Sequence, residues 1–259
     1  MKWGGGTFGR LEKRAVRKTM RKQPGRTWTL VLLFVLLVGA FLFLRSPFFA
    51  VKHIEVYGNQ KVTTEEIIAR CGQKSVNIFA FDLDKARRSI EASPWIEKAS
   101  CSRKLPDTII VTVVERSPVA FIPIENKIYL VDQAGRVLGE DDGVPRKLVA
   151  FTGVTEKVVP GQFLDDSKYG WGFRVLSALG PLAKEKIAEV NMQEGECTLI
   201  LDDGCKVLMG KERSDVQKLT LLLDSVLKTL SESGNIAEYI DLRFEKQAVK
   251  LRSPSGELR

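Results

Sequence analysis

One segment constrains this chain more than any other, because residues 27–44 carry no charged side chain. Most of them are strongly apolar: Leu30, Val31, Leu32, Leu33, Phe34, Val35, Leu36, Leu37, Val38, Phe41, Leu42, Phe43 and Leu44. A helix of this length spans about 27 Å, close to the roughly 30 Å of a bilayer core. Transfer of these side chains into lipid is favourable by on the order of 5 kcal/mol. We therefore predict a transmembrane helix over 27–45, with Trp28 as an interfacial anchor.

The excess positive charge lies on one side of this segment. The first 28 residues carry nine basic side chains and one acid, which accounts for the whole formal charge of +8. The positive-inside rule predicts a cytoplasmic basic tail over 1–26, so the protein is expected to be a single-pass type II membrane protein whose C-terminal part lies outside the cytoplasm. The predicted topology determinants are Arg14, Arg17, Lys18, Arg21, Lys22 and Arg26. Charge concentrated in a tail argues against a globular nucleic-acid-binding domain and favours contact with anionic membrane lipid.

A cleaved signal peptide is the alternative interpretation of the apolar segment. Its apolar run is longer than the usual 7–15 residues, and Phe48 would occupy the −3 position, where cleavage requires a small residue. An uncleaved anchor is therefore favoured. A cytoplasmic partner or nucleic acid bound by the tail stays an open alternative to its role as a topology determinant.

The residues after the span first predict a compact α+β module over 49–117. A strand is predicted over 49–56, and Thr63 with Glu66 forms a capping box for a helix over 64–70. Asp82 is expected to cap a second helix that Pro94 ends. Two further strands, Ile96–Arg103 and Thr108–Arg116, flank a Pro-Asp turn. The predicted order is β-α-α-β-β.

A mixed β-rich domain with packed helices is predicted over 118–252, followed by a short polar tail over 253–259. Asp203-Gly204 marks a hairpin turn, and Ser214 with Gln217 is expected to cap a long amphipathic helix that Gly234 ends. The remaining predicted elements are a hairpin of Ile128–Asp132 with Arg136–Leu138, a helix over 166–179, hairpin strands Cys197–Leu201 and Cys205–Met209, and a final strand pair, Tyr239–Phe244 with Gln247–Leu251.

No catalytic, metal or cofactor site is predicted. The single histidine, His53, leaves little with which to build a metal centre or a catalytic triad, and the chain has no phosphate-binding glycine loop. Ser225-x-x-Lys228 matches the nucleophile pattern of penicillin-binding proteins, but the companion motifs are missing and the pair lies on the polar face of a helix. No small-molecule substrate is expected.

The four cysteines are interpreted as small buried side chains. In the second hairpin, pairing Asp202 with Cys205 places Cys197 opposite Gly210, so Cys197 and Cys205 are roughly 16 Å apart and cannot form a disulfide. A bridge between Cys71 and Cys101 stays open as an alternative.

Several motifs resemble one family of bacterial proteins. Phe49-x-Val51-x-x-Ile54-x-Val56-x-Gly58-Asn59 resembles the opening of a POTRA domain, and Arg103-x-Leu105-Pro106-Asp107-Thr108 resembles a later part of it. Leu130-Val131-Asp132-x-x-Gly135 and Ile240-Asp241-Leu242-Arg243-Phe244 are similar to the β domain of the cell-division family FtsQ/DivIB. The resemblance covers nearly the whole chain, including the basic tail and the single span.

This resemblance implies a non-enzymatic divisome scaffold at the septum, which binds FtsB- and FtsL-like single-span proteins and helps to control septal peptidoglycan synthesis. In the family the C-terminal strand edge receives a strand from FtsB. The corresponding residues here are Phe244, Gln247, Ala248, Val249, Lys250 and Leu251, with Phe244 replacing the family's tyrosine. Two alternatives are a POTRA-containing secretion or translocation component and a membrane-anchored cell-wall enzyme.

Overall fold

A computed structural model describes residues 24–72, 75–144, 146–244 and 247–252. The predicted topology determinants Arg14, Arg17, Lys18, Arg21 and Lys22 lie outside the described residues, as do the side chain of Arg26 and the tail over 253–259.

The first described element is a single apolar helix, α1 (Pro24–Leu44). Proline suits a first helical turn because the amide hydrogen that it lacks would have no partner within the helix. Residues 27–44 are long and apolar enough to cross a membrane by length and composition, and their large side chains are exposed. A 3-10 turn, Pro47–Phe49, follows. This segment and the part from Ala50 onward form two separate compact units.

The second unit begins with a three-stranded sheet covered by two helices. Its elements are β1 (His53–Tyr57), α2 (Thr64–Cys71), α3 (Leu83–Glu91), β2 (Ile96–Lys104) and β3 (Thr108–Glu115). The strand order is β1-β3-β2, with β1 parallel and β2 antiparallel to β3. The predicted β-α-α-β-β order is confirmed.

Two local predictions in this module need correction. The first strand begins at His53 and not at residue 49. The backbone of Val51 is hydrogen-bonded to Ser75 and Val76, and pairing with β3 starts only at His53. At the start of α2 the Thr63 hydroxyl accepts from the Glu66 N–H, as expected for a cap. The Glu66 carboxylate, however, accepts from Arg70 Nε one turn later.

A nine-stranded sheet forms the rest of the second unit. Its strands are β4 (Pro118–Ile124), β5 (Lys127–Asp132), β6 (Val137–Glu140), β7 (Val149–Thr152), β8 (Ile187–Gln193), β9 (Glu196–Leu201), β10 (Lys206–Gly210), β11 (Ala237–Asp241) and β12 (Ala248–Leu251). They lie in the order β12-β11-β10-β9-β8-β7-β4-β5-β6. The sequence patterns did not predict β4, β7 or β8. Both neighbours of β7, the strands β4 and β8, are distant from it in the chain, whereas β4 and β8 also form hairpins with the strands that follow them.

Three helices accompany this sheet: α4 (Asp166–Ala178), α5 (Pro181–Lys186) and α6 (Val216–Ser233). The core contains Leu219, Leu223 and Leu227 of α6, together with aromatic residues of α4. The predicted Ser214 cap of α6 is wrong. The N-cap residue is Asp215, whose carboxylate makes no cap and instead accepts two hydrogen bonds from Arg213.

The hairpin between β9 and β10 has a three-residue loop. Leu201 N–H donates to Cys205 O, so the predicted pairing of Asp202 with Cys205 is off by one residue. A bulge between Leu208 and Gly210 compensates, and Cys197 lies opposite Gly210 as predicted. All four cysteines are free thiols.

Ion pairs join the three-stranded module to the larger sheet. Arg116 Nη1 lies 2.6 Å from Asp132 Oδ2, and both side chains are largely buried. Asp142 pairs with Lys61 of the first module and with Arg146 of its own loop. These contacts fix the larger sheet on the module that precedes it.

Candidate partner-binding edge

The strand β12 forms one edge of the nine-stranded sheet and is exposed along its whole length. It pairs antiparallel with β11, placing Val249 opposite Ile240 and Lys250 opposite Tyr239. Among the described residues no strand pairs with its other side. Such an edge offers backbone hydrogen-bonding groups to another chain.

The direction of the backbone shows which groups this edge offers. Arg252 N–H donates to Ile236 O at 2.8 Å, toward β11. Backbone groups of successive residues in a strand point to opposite sides, so those of Lys250 and Ala248 also face β11. Val249 and Leu251 therefore direct their N–H and C=O groups to the open side.

The opposite edge of the sheet is less accessible. At β6, Val137 N–H donates to Gln162 O at 2.9 Å, and Gly161 N–H donates to Val137 O at 2.7 Å. This loop covers part of the β6 edge. Of the two edges of this sheet, β12 is therefore the more open.

Phe244 does not lie in a strand, which corrects the predicted strand Tyr239–Phe244. The strand β11 ends at Asp241, because the Asp241 carboxylate accepts from Arg243 N–H at 3.0 Å and turns the chain. The Phe244 side chain is 65% exposed. Phe244 is therefore a surface residue and not part of the buried core.

The bend that carries Phe244 is held by charged contacts. Arg243 Nη2 donates to Asp241 Oδ2 at 2.7 Å, and the Arg243 guanidinium lies 5.5 Å from the centre of the Phe244 ring. Arg213 Nη1 donates to Arg243 O at 3.2 Å. The Arg243 side chain, by hydrogen bonding, holds the pKa of Asp241 below its ordinary value, which keeps this carboxylate charged. An exposed aromatic side chain on a fixed bend suits a binding anchor.

Lys250 belongs to the other face of the edge. Its ammonium lies 2.8 Å from Glu238 Oε2 and 5.9 Å from the centre of the Tyr239 ring. The hydrogen bond with Glu238 raises the pKa of Lys250. Because Lys250 is held by its neighbours, it leaves the backbone of the edge open.

The structure brings most of the predicted partner-binding residues together. Ala248, Val249, Lys250 and Leu251 form β12, whereas Gln247 precedes it and Phe244 lies in the bend after β11. Sequence reasoning missed Arg213, Asp241 and Arg243, which position Phe244. The i, i+2 spacing of Asp241 and Arg243 is a signal for a local ion pair, but the contact from Arg213 depends on the tertiary fold.

The Ser225-x-x-Lys228 pair is engaged with other groups. The Ser225 hydroxyl donates to Leu222 O at 2.7 Å, and the Lys228 ammonium lies 4.0 Å from Glu232 Oε1. Nucleophilic catalysis requires the hydroxyl within hydrogen-bond reach of its base. These contacts direct the two side chains elsewhere.

Comparison with known proteins agrees with this architecture. Residues 49–116 match the family model "POTRA domain, FtsQ-type", and residues 120–243 match "Cell division protein FtsQ/DivIB, C-terminal". The second match ends just before Phe244 and β12.

Similar proteins match long stretches of the chain. Cell division protein DivIB of Clostridium tetani is 32% identical over 214 residues, covering 79% of this chain and 80% of that protein. Cell division protein FtsQ of Myxococcus fulvus is 28% identical over 266 residues, covering 95% and 92%. Cell division protein FtsQ of Koribacter versatilis is 45% identical over 83 residues, covering 32% and 24%.

An FtsQ-type POTRA module followed by a β-rich FtsQ/DivIB domain is typical of a cell-division protein. The apolar helix that precedes the two domains in the sequence fits a single-pass membrane protein. The chain belongs to the FtsQ/DivIB family.

Proposed function

We propose that this protein is a non-enzymatic divisome scaffold that links early and late division proteins at the septum. Its partners are FtsB- and FtsL-like single-span proteins, and through them it helps to control septal peptidoglycan synthesis. Membership of a cell-division family supports the general role. The main observation in favour of strand addition as the binding mode is the open edge of β12, which lies near the exposed Phe244 in the chain.

The proposed mechanism is strand addition. A segment of the FtsB-like partner extends the nine-stranded sheet at β12, with its backbone bonded to Val249 and Leu251, and packs on Phe244. Backbone bonds give such a contact its affinity, and side chains give it specificity. In the described part of this region, Arg243 pairs with Asp241 and Lys250 pairs with Glu238, so this binding should depend only weakly on salt.

The proposed topology places residues 1–26 in the cytoplasm and the domains after the span in the periplasm. The distribution of basic residues supports this orientation. Alkaline phosphatase fused after Arg259 should be active in cells. Activity of a cytoplasmic reporter alone at that position would reverse the orientation.

The partner model is tested with the tagged full chain in its own cells. We expect FtsB- and FtsL-like proteins to co-purify with it, and a fluorescent fusion to locate at mid-cell. Val249→Pro should release the FtsB-like protein, because it removes an N–H that faces the open side without removing a bond to β11. Leu221→Ala, at an exposed position on α6, is the control and should retain the partner. Equal recovery with both variants would refute strand addition at β12.

A further inference from the structure

A cavity of about 330 Å³ lies away from β12, where three neighbouring strands of the large sheet begin. The strands β8, β7 and β4 are adjacent in the sheet and run parallel to one another. Because the first residues of parallel neighbours lie at the same end of a sheet, three distant segments of the chain meet here. They contribute Ile187, Val149 and Val119 to the cavity wall.

The apolar part of the cavity is completed by the helix α4. Phe173 and Leu176 line it, and both belong to the hydrophobic core, being 6% and 8% exposed. Small-molecule sites are clefts of about 300 Å³ or more with mainly apolar walls and a few polar groups. One turn of an α-helix with its side chains occupies about 420 Å³. The cavity is therefore of the size of a small-molecule site and smaller than a docked helical turn.

Two lysine side chains add positive charge to this apolar surface. Lys147 precedes β7, and Lys184 lies on α5. The Lys147 ammonium donates to Glu185 O at 2.8 Å, which fixes its position and leaves two of its three N–H donors. In the part of the chain that the structure describes, neither ammonium forms an ion pair, and no acidic side chain lines the cavity. The two positive charges are therefore not neutralised.

A neighbouring cavity shows the contrast. It has a volume of about 380 Å³ and shares three lining residues with the first. Its cation, Arg174, lies 3.0 Å from Asp166 Oδ1 and 2.7 Å from Glu212 Oε1. Positive charge is thus already paired in the second cavity, and only the lysine side of the first favours an anion.

We propose that the cavity lined by Lys147 and Lys184 binds a small organic carboxylate with an apolar body. The carboxylate lies between the two ammonium groups, and the apolar body packs against Phe173 and Leu176. Hydrogen bonds between charged groups orient the ligand, and burial of its apolar part contributes affinity. The proposal involves no residue of the β12 edge, so it does not depend on strand addition.

A matched pair of probes tests the charge requirement. The acid is 4-phenylbutyrate, and its neutral counterpart is 4-phenylbutyramide. Binding to the full chain in nanodiscs of zwitterionic lipid is measured by isothermal titration calorimetry, with empty nanodiscs as the blank for partitioning into lipid. We expect the acid to bind with a Kd of about 1 mM or tighter and the amide to bind about tenfold more weakly.

Two lysine variants locate the site. Lys184→Gln should weaken the acid about fivefold and leave the amide unchanged, because it removes one charge and keeps a polar side chain. Lys218→Gln removes an exposed charge from α6 and is the matched control, which should bind the acid as the unaltered chain does. Unchanged melting temperatures confirm that both variants fold.

Each other result overturns a stated part of the proposal. Equal affinity of acid and amide would remove the lysines from recognition, and equal weakening by both lysine variants would show unspecific ionic attraction. No binding of the acid at 10 mM, roughly tenfold above the expected Kd, would overturn the site. Tighter binding of the tripeptide Gly-Gly-Phe would assign the cavity to a polypeptide C-terminus. Val249→Pro should leave the affinity for the acid unchanged, so this proposal and strand addition fail separately.

Discussion

Replacing Phe244 with alanine should weaken partner binding strongly while leaving the fold intact. Phe244 is 65% exposed, and a phenylalanine side chain presents about 200 Å² in total, so a partner that covers it removes about 130 Å² from water. At about 25 cal/mol per Å² this burial is worth about 3 kcal/mol, or roughly a hundredfold in Kd. Because the side chain is largely exposed in the free protein, the free energy of unfolding should change by less than about 0.5 kcal/mol.

The assay measures the affinity of the FtsB-like partner for the full chain in nanodiscs by isothermal titration calorimetry, with thermal unfolding of the same samples. Leu221 is the matched control, since it is 69% exposed and lies on α6. Leu221→Ala should leave Kd unchanged. An unchanged Kd for Phe244→Ala would refute the role of Phe244 as an anchor, and a loss of several kcal/mol in stability would show that it is a packing residue.

Three further predictions follow from charged and buried groups. Asp241→Asn should weaken partner binding about fivefold, because it removes the ion pair that holds Arg243 beside Phe244. Calorimetry with the same partner measures this change. Equal affinity would show that the ion pair does not position Phe244 for binding. Arg146 and Lys61 hold the pKa of Asp142 well below its ordinary value. Their ion pairs with Asp142 therefore stabilise the fold above about pH 4, and this stabilisation is lost as the pH falls toward the folded-state pKa. Asp142→Asn should flatten the acid dependence of stability in urea titrations, and an unchanged pH profile would contradict this. Burial raises the pKa of all four thiols, to about 11 for Cys71 and Cys205 and to about 12 for Cys197. Cys101 is half-buried and the other three are buried, so alkylation at pH 8 should label Cys101 first. Equal labelling rates in the native protein would contradict this order.

The elements that sequence predicted well are governed by local rules. The uncharged run over 27–44 predicts α1, and Asp82 caps α3 by accepting from Lys85 N–H. The hairpin of β9 and β10 follows from an Asp-Gly turn between apolar strands. In each case the deciding residues are neighbours in the chain.

The misassigned caps at Glu66 and Ser214 are local errors, whereas two larger errors involve contacts between distant residues. The strand β11 stops before Phe244 because Asp241 and Arg213 hold the bend, and Arg213 is some 30 residues away in the sequence. The order of strands across the nine-stranded sheet likewise depends on pairings that no local pattern contains. The site was therefore predictable as an edge, but the geometry of its aromatic anchor was not.

The exposure of individual backbone amides tests the central claim most directly. Hydrogen exchange of β12 is measured residue by residue in the full chain, with and without the FtsB-like partner. The N–H groups of Lys250 and Arg252 face β11, so they should be partly protected in the free protein, whereas those of Val249 and Leu251 should exchange quickly. Partner binding should then protect Val249 and Leu251 selectively. Unchanged exchange at these two residues, with the partner bound, would contradict strand addition at this edge.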